Sequence, residues 1–198
     1  MFNSIRNTII GAILTLAATS ASALPITFDF SGSGHRLLGY SQTFSQSGLG
    51  VKATALGGGR LSQTHSGLGV GGTHFLDSKQ LDGFGPDESV LFRFSRSVRL
   101  LGFTLTRVGY FDDATLTVDD VPQLSGNIPG GNIWDSDTAS IKAGLNGTDF
   151  QFGVTDWNDD YFIKSLTVHA TEVPEPGTIA LFAVGLVGLG IARKRTKQ

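Results

Sequence analysis

Residues 89–108 read SVLFRFSRSVRLLGFTLTRV. Within Ser89–Ser95 every second residue is apolar, with Val90, Phe92 and Phe94 on one side and Arg93 opposite. Arg99–Val108 repeats the pattern, placing Leu101, Phe103 and Leu105 on one face with Arg107 in phase. Side chains of an extended chain alternate between faces, so a two-residue period marks a strand with one side turned to a core. These twenty residues are read as two strands.

The same period recurs on both sides. Ile26, Phe28 and Phe30 alternate with Thr27 and Asp29, and Leu116 and Val118 alternate with Thr115 and Thr117. DFQFGV at 149–154 and YFIKSLTVHA at 161–170 follow suit. No segment between the two ends carries a sustained helical stripe. About nine or ten strands separated by Gly, Asp and Asn turns predict an all-β domain, an antiparallel β-sandwich of jelly-roll-like form. Ser47–Val51 and Ser66–Val70 both read SGLGV, a pair of similar turns leading into strands. The surrounding glycine-rich stretch LGGGRLSQTHSGLGVGG is read as a loop.

The two ends differ from this domain. Arg6 is followed by an apolar stretch from Ile9 to Ala18 and then Ala21-Ser22-Ala23. A cationic start, an apolar core and small residues at Ala21 and Ala23 have the form of a secretory signal peptide, cut after Ala23 by signal peptidase. At the other end, the sixteen residues Gly177–Ala192 carry no charge. As a helix they would be roughly 24 Å long against a hydrocarbon core of about 30 Å. Snorkelling by Arg193, Lys194 and Arg195 would extend that reach and hold the tail on the cytoplasmic side. The expected order is therefore signal peptide 1–23, β-sandwich 24–171 and a C-terminal segment 172–198. The last comprises Pro174-Glu175-Pro176, a single transmembrane helix over about 177–192 and a basic tail at 193–198.

This tripartite tail resembles the PEP-CTERM sorting signal of Gram-negative bacteria. The resemblance covers Pro174, Glu175, Pro176, the glycine-rich apolar helix and Arg193-Lys194-Arg195, and nothing of the domain before it. It implies recognition and processing by an exosortase after export across the inner membrane. A single-pass membrane intermediate would be followed by release or attachment at the cell surface, often beside exopolysaccharide. LDGFGPDESVLFRF and LTRVGYFDDATLTVDD also resemble a recurrent module of PEP-CTERM surface proteins, which implies no particular activity.

Composition narrows the function of the domain. Residues 24–172 hold 10 Lys and Arg against 16 Asp and Glu, a formal charge of −6. An acidic domain without a basic run argues against nucleic acid. Cysteine is absent, which removes disulfides and thiolate chemistry. There is no nucleophile elbow, zinc-protease helix or phosphate loop. The acidic residues gather in turns: Asp82, Asp87 and Glu88; Asp112 and Asp113; Asp156, Asp159 and Asp160. Close carboxylates repel, and Ca²⁺ takes six to eight such oxygens, so calcium is the cofactor these turns suggest; solvated turn carboxylates are the alternative. Trp134 and Trp157 lie among carboxylates and amides, suited either to stacking on sugar rings or to plugging the end of the sandwich. The expectation is a non-enzymatic surface or matrix protein. The alternatives are a carbohydrate-binding module for exopolysaccharide and a small glycosidase.

Overall fold

Ser95-Arg96-Ser97 offers neither glycine nor proline, so the chain between the two alternating segments bends without turning. The computed structural model describes residues 24–72, 78–131 and 136–171, and in it the segments form one 20-residue strand, Ser89–Val108. In chain order the strands of the first half are β1 Ile26–Asp29, β2 Arg36–Gly39, β3 Ser41–Gln46, β4 Leu49–Leu56, β5 Arg60–Thr64 and β6 Gly67–Gly71. The second half has β7 Leu81–Asp82, β8 Ser89–Val108, β9 Asp113–Val118, β10 Val121–Asn127, β11 Asp137–Gly153 and β12 Asp160–Ala170. All described pairings are antiparallel, and the all-β sandwich expected from the alternation is what the chain adopts.

The two long strands serve both layers. The first part of β8 lies between β4 (Val51↔Phe94 to Leu56↔Ser89) and the end of β11 (Asp149↔Arg93 to Gly153↔Ser89). With β3 outside β4, and β9 and β10 beyond β11, this layer runs β3-β4-β8-β11-β9-β10. Past the bend, β8 lies between the first part of β11 and β12. The second layer continues from β12 to β1 and, through Ile163↔Leu68, to β6, β5 and β2. The bend is a slip in register: Gly147 faces Val98, yet Asp149 faces Arg93. Arg93 donates to the Asp149 carboxylate from Nε at 2.9 Å and from Nη2 at 2.5 Å. The β9–β10 turn holds the same place. Asp119 and Asp120 both have positive φ (47° and 65°), the primed geometry that suits tight hairpins. At the slip, Asp119 Oδ1 accepts the amides of Thr148 (3.0 Å), which has no partner in the ladder, and of Asp149 (2.9 Å).

The inward residues of the two layers meet as rings. Phe28 packs edge-on against Phe94 at 5.7 Å, and Phe103 against Phe152 at 4.9 Å. One phase expectation is corrected. Val98 and Leu100 are buried, as are Phe103 and Leu105, but Leu101 is only half-buried and Arg107 is exposed. Between Leu100↔Val168 and Gly102↔Thr167 an extra residue sits in β8, and the inward phase passes from even to odd positions there. The glycine-rich stretch is corrected too: it forms the β5–β6 hairpin. Both SGLGV copies lead into strands, with Leu49, Val51, Leu68 and Val70 in the core.

Candidate functional site

Three loops close one end of the sandwich: 83–88 after β7, 109–112 after β8 and 154–159 before β12. Each carries one of the acidic groups singled out in the sequence, and buried carboxylates bind the loops together. Asp159 is the centre. Its Oδ2 accepts from Thr155 N (3.0 Å), Thr155 Oγ1 (3.2 Å) and Asp156 N (2.7 Å), closing its own loop. Its Oδ1 accepts from Asp113 N at 2.9 Å, reaching the neighbouring loop. Asp112 answers in the other direction, accepting Gly109 N at 2.6 Å and Asp160 N at 3.4 Å. The third loop is organised likewise: Asp82 accepts Phe84 N at 3.1 Å, and Glu88 accepts Asp82 N at 3.2 Å. Gly83 N donates to Asp159 O at 3.2 Å, and a methyl group on Gly83 would overlap the Asp156 carbonyl, so these backbones touch only because residue 83 has no side chain. Beneath them the buried Tyr161 hydroxyl donates to Gly153 O at 2.7 Å, and burial drives its pKa up.

The acidic residues of the sequence are thus placed as follows. Asp82, Glu88, Asp112 and Asp159 are buried, with oxygens turned to backbone amides; Asp87 and Asp156 are exposed; Asp113 and Asp160 are half-buried. Gln80 Nε2 donates to Asp160 Oδ1. Among the described residues no group of three or more His, Asp or Glu side chains is placed to hold a metal ion.

Asp113 carries a pKa raised first by desolvation and then by repulsion from Asp159 and Asp156. An acid with a raised folded pKa holds its proton more tightly when folded. Its contribution is most favourable at pH below the ordinary carboxylate value of about 3.9 and declines as pH rises through that range. Asp113→Asn should therefore be more stable than the native protein at neutral pH. The gain should be below about 1 kcal/mol because partly exposed charges are screened. Thermal melts at pH 7 and pH 3 check this: the two proteins should converge in acid.

With their amides satisfied inward, these loops turn aromatic side chains outward. Phe84 is 66% exposed, Tyr110 55%, Phe111 66% and Trp157 78%. Tyr110 and Phe111 meet edge-on at 4.9 Å. Trp157 therefore does not plug the sandwich. Phe84, Tyr110 and Phe111 were not foreseen as site residues, although each falls in a turn among Gly, Pro or Asp, outside any alternating run. Trp134, the signal-cleavage residues Ala21 and Ala23, Pro174, Glu175, Pro176 and Arg193, Lys194, Arg195 lie outside the described residues.

Comparison with known proteins bears on the C-terminal end. The chain resembles, at a TM-score of 0.35 and 14% identity, a crystallised exo-beta-1,3-galactanase from Phanerochaete chrysosporium bound to beta-1,3-galactotriose. The match covers 75% of this chain and 29% of that one. No curated protein matches significantly. Residues 172–195 match the family model of the PEP-CTERM protein-sorting motif, as the Pro-Glu-Pro, apolar and basic order implied. The chain carries a PEP-CTERM sorting signal, the mark of an exported protein handled by an exosortase.

Proposed function

We propose that the mature domain is a non-enzymatic surface module that holds exopolysaccharide on the aromatic end of its sandwich, after transient anchoring and exosortase cleavage at the C-terminal tail. One observation carries the reading: four exposed aromatic side chains from three loops are fixed at one end by buried carboxylates. Aromatic faces stack on the C–H faces of sugars, and the exposed Asp87, Asp156 and Asn158 beside them offer hydrogen bonds to hydroxyls. A surface rich in rings and polar tips on rigid loops loses little entropy on binding. The buried carboxylates shape turns, which favours binding over hydrolysis. The sorting signal supports an extracellular setting in which polysaccharide is the abundant partner.

The test uses the exported protein recovered from its host. Its intact mass should lack residues 1–23 and the segment after Pro176. It should bind matrix polysaccharide in an affinity gel, and Trp157→Ala should weaken that binding at least tenfold without moving the melting temperature, since Trp157 is 78% exposed. Retention of both termini would refute the processing; equal retardation of the variant would refute the aromatic site.

A further inference from the structure

A second feature adjoins this end. A cavity of about 330 Å³ is lined by His35, His65, Lys79 and Arg107, together with Gln80 and Phe162. Four basic side chains on one cavity run against the charge of a domain whose formal total is −6. They come from four separate places: ahead of β2, the β5–β6 turn, the chain before β7 and the end of β8. Specific contacts assemble them. Thr106 Oγ1 donates to Ser66 O at 2.5 Å, tying the β5–β6 turn to the residue before Arg107. Val70 N donates to Gln80 O at 3.2 Å, and a methyl group on Gly69 would overlap the Lys79 carbonyl, so the chain bearing Lys79 lies flush on β6.

Arg107 is held in an unusual way. Its φ is +62°, a left-handed conformation that a non-glycine residue adopts only at a cost. The strand bulges there, between Thr106↔Thr138 and Val108↔Asp137, with Thr106 and Val108 buried on either side and Arg107 exposed into the cavity region. The nearby Asp160 accepts from Gln80. A guanidinium fork beside an ammonium and two imidazoles is a donor set for an oxyanion. The volume lies near the lower bound for small-ligand sites, of the size of one sugar residue.

We infer that this cavity receives the carboxylate of a uronic acid residue, so that the bound polysaccharide is an acidic one. The assignment rests on the polysaccharide reading for what carries the carboxylate. It gains from continuity: Arg107 lies three residues before Tyr110, and Gln80 is bonded to Asp160 at the end of the Trp157 loop. A chain stacked on the aromatic end would bring a neighbouring residue to the bases.

The experiment compares two probes of one linkage and length, oligogalacturonate and its methyl ester, titrated into the exported protein. The acid form should bind at least tenfold more tightly at low salt, and the preference should fade as salt rises. Lys79→Gln with Arg107→Gln should bind both probes alike, at the affinity of the ester. Arg107→Gly guards against misfolding, since glycine accepts the positive φ: it should melt no lower than the native protein and still lose most of the preference. Equal binding of acid and ester by the native protein would overturn this inference and leave the polysaccharide reading standing. Binding of neither would overturn both. Displacement of the acid probe by millimolar inorganic phosphate, with no preference over the ester, would make the cavity a free-anion site and overturn the uronate assignment.

Discussion

Asp159→Ala should lower the stability of the domain by about 2–4 kcal/mol and disperse the aromatic end. The native carboxylate is 1% exposed and accepts from three backbone amides and one hydroxyl, drawn from its own loop and from Asp113. Removing it leaves those donors unmatched, at about 1–3 kcal/mol for each one that water cannot reach. Thr155 and Asp156 are exposed enough for water to recover part of that loss, which keeps the total below the simple sum. An opposing effect is relief of repulsion with Asp113, and it is smaller because that pair is screened. For a domain of this size the melting temperature should fall by roughly 10 °C. Asp159→Asn keeps one acceptor oxygen and the volume, so it should lie between the two. Polysaccharide binding should fall with Asp159→Ala at temperatures where the domain is still folded, because the Trp157 loop loses its clasp. A fall in melting temperature of less than a few degrees would show that the loops hold without Asp159.

Phe92→Ala should cost about 3–5 kcal/mol, the range for an aromatic side chain removed from a packed core. Phe92 is 0% exposed, with its ring 5.0 Å from Phe30 and 5.9 Å edge-on to Phe152. Phe152 in turn packs on Phe103 of the other layer, so the cavity would open at the junction of the layers. The residue also sits in the first part of β8 between Ala53 of β4 and Phe150 of β11, where the ladders on both sides prevent collapse of the backbone. Urea unfolding at unchanged slope should report the loss, and Phe92→Leu should recover more than half of it. A loss under about 1.5 kcal/mol would mean that the neighbouring rings close the space.

The strands were legible because their signal is local. Val90, Phe92 and Phe94, or Leu116 and Val118, declare a buried face within five residues, whatever the rest of the chain does. Where the reading failed, something non-local intervened. Leu101 was assigned inward, but the slip opposite Thr167 and Val168 moves the phase to Phe103 and Leu105. Ser89–Val108 was divided in two, although two layers sharing one bent strand is a property of the sandwich and not of Ser95-Arg96-Ser97. The glycine-rich stretch passed for a loop because Gly67 and Gly69 have no side chains to alternate; they are glycines because Ile163 and Lys79 carbonyls lie where side chains would be.

The site shows the same division. By itself the sequence determined that the domain is all-β and acidic, and that the chain ends in a PEP-CTERM sorting signal, since both are written in runs of adjacent residues. It also marked the acidic turns and Trp157 as unusual. Only the tertiary structure decided that the turns at 82–88, 109–113 and 154–160 share one end, that four of their carboxylates face backbone amides, and that Phe84, Tyr110, Phe111 and Trp157 face outward together. It alone brought His35, His65, Lys79 and Arg107 to one cavity. The physical reason is the range of the interactions. A strand is declared by its nearest neighbours in sequence, whereas the Asp113–Asp159 and Asp112–Asp160 hydrogen bonds join residues 46 and 48 positions apart, and no local pattern encodes which distant amide a carboxylate will meet.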